Sequence, residues 1–184
     1  MPRLPLLPAE AEDEAVAEAF RTFREEGREP IALYRTLAHA PRMLRAFSAT
    51  GRGLRHDAGT PRALRELVIL RTAELTGSVY EYSHHWPMAL SAGATEEKLR
   101  ALSSWEESDL FSASERAALR CVEEVHRVGV TDETFAELQA HFDPEALIEV
   151  VLTAAFYQAV ARTLQALAIE VEPAYERYVP NWER

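Results

Sequence analysis

The stretch PRALRELVILRTAELTGSVYEYSHHWPMALSAG, residues 61–93, decides the fold of this chain. It predicts one helix that begins at Pro61, a tight break at Gly77, and a second helix that ends at Gly93. Leu, Val and Ile recur at helical spacing before the break, and Glu81 and two adjacent histidines follow it. Any acid/base chemistry of this protein is therefore expected on this helix pair.

Helical spacing of apolar residues also covers most of the remaining chain. The predicted helices span about 9–27, 31–37, 41–54, 95–99, 112–128, 131–141 and 144–167. The last of these is apolar on more than one face, which indicates burial in the domain centre or in a subunit interface. Residues 55–60 are expected to form a turn-rich loop, and 103–115 the longest irregular connection. Strand-like alternation is absent from the sequence, so the predicted fold class is all-α.

Several helix starts carry capping signals. These are Thr60-Pro61, the Ser-x-x-Glu boxes Ser78–Glu81 and Ser112–Glu115, Thr95, and Asp143-Pro144.

Length and composition indicate one domain over residues 1–184, because 47% hydrophobic residues suffice for a core. The net charge of −10 argues against binding to nucleic acid and to an anionic membrane surface. The N-terminus lacks the apolar run of a signal peptide, and no stretch approaches the roughly 18 uninterrupted apolar residues of a membrane span. The only cysteine, Cys121, excludes an intramolecular disulfide and a Cys-x-x-Cys pair. A cytoplasmic location is expected.

Glu81 and His85 are four residues apart and share one face of the second helix. A carboxylate beside an imidazole fixes its tautomer and raises its basicity, so this pair could exchange a proton with a substrate near neutral pH. Glu66 could join the pair if the break at Gly77 folds the two helices together. Glu81, His85 and Glu66 are the predicted catalytic residues, and Ser78, Tyr82 and His84 are the predicted substrate-binding residues.

Each of these residues also has a structural explanation. Glu81 could be engaged by the capping box with Ser78, and Glu66 could belong to a surface ion-pair network with Arg62 and Arg71. Adjacent histidines point about 100° apart on a helix, so His84 is expected at a surface or an interface. A metal site is disfavoured because only two ligands converge, and no cofactor is predicted. Cys121 falls on an apolar face, as expected of a buried and inert thiol.

The residues from RELVILRTAELTGSVYEYSHHW to SAGATEEKL resemble the signature of the carboxymuconolactone decarboxylase family, which includes the alkylhydroperoxidase AhpD. The AhpD motif is Glu, eleven residues, Cys, two residues, Cys, three residues, His. Here the corresponding positions hold Glu66, Ser78, Glu81 and His85. Both redox cysteines are missing, so the thiol chemistry of AhpD does not transfer to this chain.

The resemblance implies an all-helical AhpD-like fold, with residues 61–102 as the signature core and 1–60 as an N-terminal helical extension. It also implies a homo-oligomer, a trimer or hexamer with a dimer possible, and a site near a subunit interface. The function expected from the retained Glu/His pair is a cofactor-free, decarboxylase-type enzyme acting on a small lactone or carboxylic acid. The alternatives are a non-catalytic or ligand-binding oligomer and, more remotely, a peroxidase that works through Cys121.

Overall fold

The computed structural model describes residues 2–10, 13–25, 27–127 and 129–183, and every regular element in these ranges is helical. This confirms the predicted all-α fold class. The α-helices are α1 (Glu14–Glu25), α2 (Ala32–Leu37), α3 (Pro41–Arg52), α4 (Arg62–Thr76), α5 (Val79–Ser91), α6 (Glu96–Arg100), α7 (Ala113–Arg127), α8 (Asp132–His141) and α9 (Pro144–Leu167). Shorter 3₁₀ segments cover Leu102–Glu107, Pro173–Tyr178 and Asn181–Glu183.

Helix α4 lies at the centre of the molecule and packs against α5, α7 and α9. Four consecutive residues, Leu67, Val68, Ile69 and Leu70, are each at most 1% exposed, so the helix is covered on all its sides. Gly77 ends α4 with a φ of 65°, a left-handed conformation that glycine adopts without a steric penalty. The predicted break is therefore confirmed, and α5 folds back along α4.

Three apolar clusters surround this centre. The first joins α1, α2 and α3 to α9 through Phe20, Tyr34, Leu44 and Tyr157. The second lies beside α5 and the 3₁₀ segment Leu102–Glu107, and the third between α4, α7, α8 and α9. Burial of this many large apolar side chains is the main contribution to the stability of the fold.

Helix α9 is long and apolar enough to cross a membrane by length and composition, with a mean hydropathy of 1.4. It packs against α4 and α7, as the core helix of a soluble protein does. The side turned away from them exposes Ile148 and Leu152, at 56% and 52%. The predicted burial of this helix thus holds for one side of it.

Three predicted caps are present. Thr95 Oγ1 accepts from the amide of Lys98, and Asp143 Oδ1 accepts from the amide of Ala146. Ser112 and Glu115 exchange side-chain and backbone hydrogen bonds at 2.8 and 3.3 Å, which is a complete capping box.

Other local predictions were wrong. Thr60 does not cap α4 with its side chain; instead the amides of Gly59 and Thr60 donate to the carboxylate of Glu149 at 2.7 and 2.8 Å. Residues 53–57 continue α3 as a π-helix, so the expected loop at 55–60 begins only at residue 58. Residues 103–107 of the expected connection at 103–115 are 3₁₀ helix, and α1 begins at Glu14, later than predicted.

Candidate functional site

The fold-back at Gly77 places Glu66 of α4 against His85 of α5. Glu66 Oε2 lies 2.7 Å from His85 Nδ1, and the two residues are 0% and 7% exposed. The prediction that Glu66 joins His85 depended on this packing, which the structure shows. A direct carboxylate–imidazole hydrogen bond inside the protein is the central feature of the site.

Arg62 occupies the other oxygen of Glu66. Its Nε donates to Glu66 Oε1 at 2.6 Å, and its Nη1 donates to the backbone carbonyl of Arg55. The pairing of Arg62 with Glu66 was anticipated as a surface network, but the Glu66 side chain is fully buried. Arg62, Glu66 and His85 therefore form one continuous hydrogen-bonded chain from the partly exposed guanidinium to the imidazole.

Electrostatics fix the charge state of this chain. Burial acts to raise the pKa of Glu66, but His85 and Arg62 outweigh it and hold that pKa below its usual range. Burial lowers the pKa of His85, and Glu66 offsets this only in part. A carboxylate beside a neutral imidazole is the state that results at neutral pH.

The tautomer of His85 follows from that state. Because Glu66 is an acceptor, the proton of the neutral ring lies on Nδ1, and Nε2 keeps its lone pair. Nε2 has no hydrogen-bond partner within the part of the chain that the structure describes. His85 can therefore accept a proton at Nε2 while Glu66 stabilises the imidazolium that forms.

Glu81 does not make the contacts that the sequence suggested. Ser78 provides no side-chain cap to α5, and neither carboxylate oxygen of Glu81 has a partner among the described residues. The direct Glu81–His85 hydrogen bond is likewise not formed, because the imidazole is turned toward Glu66 on α4. Burial raises the pKa of Glu81 well above its usual range, and nearby Ser78 opposes this only in part, so burial favours the neutral form of this carboxyl group.

Three residues near the pair were missed by the sequence analysis. Tyr157 of α9 presents its ring edge-on to His85, with ring centres 5.0 Å apart. Arg55 reaches the hydroxyls of Tyr157 and Tyr34 at 3.4 and 3.5 Å. Burial raises the pKa of Tyr157 to about 12, so its phenol remains protonated.

Arg55 belongs to the π-helical turn Gly53–Asp57, a conformation that often marks functional sites. The sequence predicted a loop at 55–60, so this turn became visible only in the structure.

The three predicted substrate-binding residues lie in different surroundings. Ser78 is buried, and its hydroxyl has no partner in the described chain. Tyr82 packs against Trp86 and Trp182 in the second apolar cluster, outside the hydrogen-bonded chain that ends at His85. His84 is 4% exposed and bonds Glu172, so the expected surface position for it was wrong.

Two further features bear on the chemistry. Cys121 is fully buried in the third apolar cluster, and burial raises the pKa of its thiol to about 11, which disfavours a reactive thiolate. The described residues contain no group of three or more His, Cys, Asp or Glu side chains that could hold a metal ion. Two surface clefts, beside Thr60 and His141 and beside Pro41 and Met43, are not lined by Glu66, Glu81 or His85.

Comparison with known sequences agrees with the motif. Residues 41–124 match the model of the carboxymuconolactone decarboxylase family. An uncharacterised protein of Bacillus subtilis (strain 168), YdfG, is 31% identical over 94 residues, which are 50% of this chain. The match spans 64% of the length of that relative.

Comparison with solved structures extends to nearly the whole chain. The apo form of the debrominase Bmp8 superposes with a TM-score of 0.82 at 21% identity, covering 96% of each chain. An AhpD-core, peroxidase-related protein from Ralstonia eutropha JMP134 gives a TM-score of 0.82 at 20% identity over 95% of this chain and 94% of its own. A putative antioxidant defence protein AhpD from Agrobacterium tumefaciens gives 0.70 at 22% identity over 74% of this chain and 94% of its own. At these identities the likeness establishes an AhpD-like fold.

Proposed function

We propose that this chain, whose residues 41–124 match the model of the carboxymuconolactone decarboxylase family, is a cofactor-free acid/base enzyme acting on a small lactone or carboxylic acid. The observation that carries this proposal is the buried chain Arg62–Glu66–His85. Although this chain lacks the two cysteines of the AhpD motif, it keeps a carboxylate and an imidazole placed for proton transfer. The cysteine positions hold Ser78 and Glu81.

His85 is the group that moves the proton. In a decarboxylation, the carbon that loses carbon dioxide must receive a proton. His85, neutral in the free protein, first accepts a proton at Nε2 from the acid group of the substrate, and the imidazolium then delivers it to that carbon. Glu66 stabilises that imidazolium through Nδ1, and Arg62 keeps Glu66 ionised. Compared with the expectation from sequence, Glu66 takes over from Glu81 the task of orienting His85.

Glu81 has a separate part in this proposal. As a buried neutral acid with no partner among the described residues, it is a proton reserve close to Tyr157 and Ser78. A substrate group that enters the site and accepts a hydrogen bond would satisfy it. This would offset the free-energy cost of a buried unpaired carboxyl group.

The test is a screen of lactones and β-keto acids with mass detection of carbon dioxide, followed by the variant His85→Gln. We expect turnover to fall by at least about a hundredfold, the usual contribution of a general acid or base. Helical content and assembly should be unchanged. His141→Gln is the matched control, because His141 is an exposed histidine on α8 that makes no contact with Glu66. Undiminished turnover by His85→Gln would reject the proposal.

A second candidate function is that of a ligand-binding oligomer without chemistry. The observation that favours it is the near-complete burial of His85 within one chain. Under this alternative, no compound in the screen is turned over. The wild type and His85→Gln then bind ligands with different affinities while neither releases carbon dioxide.

Assembly into a trimer or hexamer, with a dimer as the smaller option, is part of the same proposal. The exposed side of α9, with Ile148 and Leu152, is an apolar surface of the kind that a second copy covers. Light scattering on the purified protein, compared with an Ile148→Glu/Leu152→Glu variant, should show a smaller particle for the variant. We place the protein in the cytoplasm, with neither nucleic acid nor membrane as a partner, in keeping with its charge of −10.

A further inference from the structure

Arg55 is a cation without an anionic partner. No carboxylate among the described residues forms an ion pair with it, and its hydrogen bonds go to two phenol oxygens at 3.4 and 3.5 Å. These distances are long for charged donors, so they satisfy the guanidinium poorly. A largely buried arginine normally has a carboxylate partner, because an unpaired buried charge is costly.

The charges around Arg55 do not compensate it either. Arg62 and Glu66 neutralise each other, and His85 is uncharged at neutral pH. Glu81 forms no ion pair with Arg55, and burial favours the neutral form of that carboxyl group. The positive charge of Arg55 is therefore not compensated locally, within a protein whose overall charge is −10.

Helix α3 leaves room for this guanidinium. A Cβ atom at Gly51 would lie 2.9 Å from Arg55 Nη1 and 3.5 Å from Phe156 Cε1. Gly51 has no positive φ that would require glycine, so the reason for the missing side chain is space. The conformation of Arg55 thus depends on the absence of a side chain at Gly51, one turn earlier in the same continuous helix.

An apolar wall adjoins the cation. Phe156 packs against Phe47 with ring centres 5.1 Å apart and edge-on against Tyr157 at 5.6 Å. Both phenylalanines are only partly buried, and so is Arg55. A ligand with one anionic group and an apolar body could therefore contact both surfaces.

We propose that Arg55, together with the hydroxyls of Tyr34 and Tyr157, binds the carboxylate of a small organic anion whose apolar body lies against Phe156. A carboxylate fits the fork of a guanidinium with two parallel hydrogen bonds. Tyr157 contacts Arg55 through its hydroxyl and His85 through its ring, so this subsite lies one aromatic ring away from the proposed base. The inference deepens the proposed function by assigning specificity for an anion to the same site.

Titration calorimetry with benzoate tests it, with benzamide as the neutral analogue of equal shape. Benzoate should bind the wild type, and benzamide at least about tenfold more weakly, since a charge-assisted hydrogen bond would be lost. Arg55→Gln should weaken benzoate by a similar factor. The matched control is Arg52→Gln, which removes the same charge from the exposed preceding turn of the same helix.

Gly51→Ala provides a second variant that retains the Arg55 charge. The added methyl group displaces the guanidinium, so benzoate binding should weaken while unfolding by urea changes little. Unfolding curves for both variants establish that they are folded. Equal benzoate affinity in the wild type and Arg55→Gln, no benzoate binding by the wild type, or preferential binding of inorganic phosphate would each overturn the inference.

The two proposals fail separately. His85→Gln should bind benzoate as the wild type does, because it leaves Arg55 in place. If no compound is turned over but Arg55-dependent benzoate binding persists, the anion subsite stands and the catalytic proposal falls. If turnover occurs and Arg55→Gln alters neither KM nor benzoate binding, the anion-subsite inference is wrong and the catalytic proposal stands.

Discussion

His84 and His85 are adjacent in the sequence, and one nitrogen of each ring lies 2.7 Å from a glutamate oxygen. The His84–Glu172 and His85–Glu66 pairs nevertheless differ in burial and in their other partners. The Glu66 side chain is 0% exposed and shares its charge with Arg62. The Glu172 side chain is 25% exposed and also accepts from the hydroxyl of Tyr80 and the amide of Ala32. The same two residue types thus form a fully buried pair in one place and a partly exposed link between elements in the other.

The rings are also covered differently. His84 is stacked between Tyr80 and Tyr175, at 4.2 and 3.7 Å between ring centres, so both its faces are occupied. Glu172 connects α5 to α2 and to the C-terminal segment Pro173–Tyr178. His85 meets one aromatic edge and has an Nε2 atom without a partner in the described ranges. The ring of His85 is therefore the less covered of the two.

The largest effect is expected from Glu66→Ala. This change leaves Arg62 and His85 without their buried partner, and breaking a buried pair on one side costs about 3–5 kcal/mol. Urea unfolding followed by circular dichroism measures the loss. Glu18→Ala is the control, because Glu18 pairs with Arg21 on the exposed surface of α1, where such pairs contribute about 0–1 kcal/mol. Equal losses for the two variants would show that the buried Glu66 contacts stabilise the protein no more than the exposed Glu18–Arg21 pair does.

His84→Ala should have a smaller and more local effect. It removes one hydrogen bond from Glu172 and the stacking with Tyr175, for a loss of about 1–3 kcal/mol. Amide exchange should become faster in residues 173–178 but not in α4. Faster exchange in α4 instead would show that His84 belongs to the same unit as the Glu66–His85 pair.

The free energy of unfolding should depend on pH in opposite directions for Glu81 and for the pair Glu66 and Glu172. Glu81 has a raised pKa, so its favourable contribution is complete below its unfolded pKa of about 4.3 and is lost as pH rises through its folded pKa. Glu66 and Glu172 have lowered pKa values and act oppositely, losing their contribution as pH falls through their folded pKa values. The lowered pKa of His85 likewise destabilises the protein as pH falls below about 6.5.

Comparing Glu81→Gln with the wild type by urea unfolding at several pH values isolates the contribution of Glu81 to the free energy of unfolding. The wild type should lose stability relative to the variant as pH rises from about 4.3. Parallel curves for the two proteins would mean that Glu81 gains a partner in solution.

The smallest effects are expected from removing single hydroxyls. Tyr80→Phe removes a 2.9 Å bond to Glu172 and a 3.3 Å bond from the amide of Leu33, for a loss of about 1 kcal/mol. Tyr157→Phe removes only a 3.4 Å contact with Arg55, and it should change the free energy of unfolding by less than about 0.5 kcal/mol. Thermal unfolding of both variants measures the two losses. A larger loss for Tyr157→Phe than for Tyr80→Phe would show that the hydroxyl of Tyr157, beside His85, makes the stronger hydrogen bonds.

Sequence reasoning succeeded where a signal is local. The cap at Thr95, the box Ser112–Glu115 and the Gly77 turn each depend on a few neighbouring residues, and each is present. The box Ser78–Glu81 has the same spacing and did not form. Its position between buried helices places the carboxyl of Glu81 in the interior and out of reach of the Ser78 amide, which bonds the carbonyl of Ala73 instead.

The site was predictable in part for a related reason. His85 was named for its spacing from Glu81, and Glu66 because the break at Gly77 could fold the two helices together; the family motif contains both positions. The 19-residue separation is closed only by the packing of α4 on α5. Arg55 and Tyr157 lie 102 residues apart, and no local pattern connects them.

The sequence by itself determined the helical class, the break at Gly77 and the family motif, because helix period, glycine conformation and residue identity are properties of short segments. The tertiary structure alone decided which glutamate bonds which histidine. An α-helix places residues four apart on one face but does not set where a ring turns, and burial against α4 selected Glu66 for His85. Tertiary packing likewise set the two pKa shifts in opposite directions: charged partners keep the pKa of buried Glu66 low, whereas burial raises that of Glu81, which has no charged partner among the described residues.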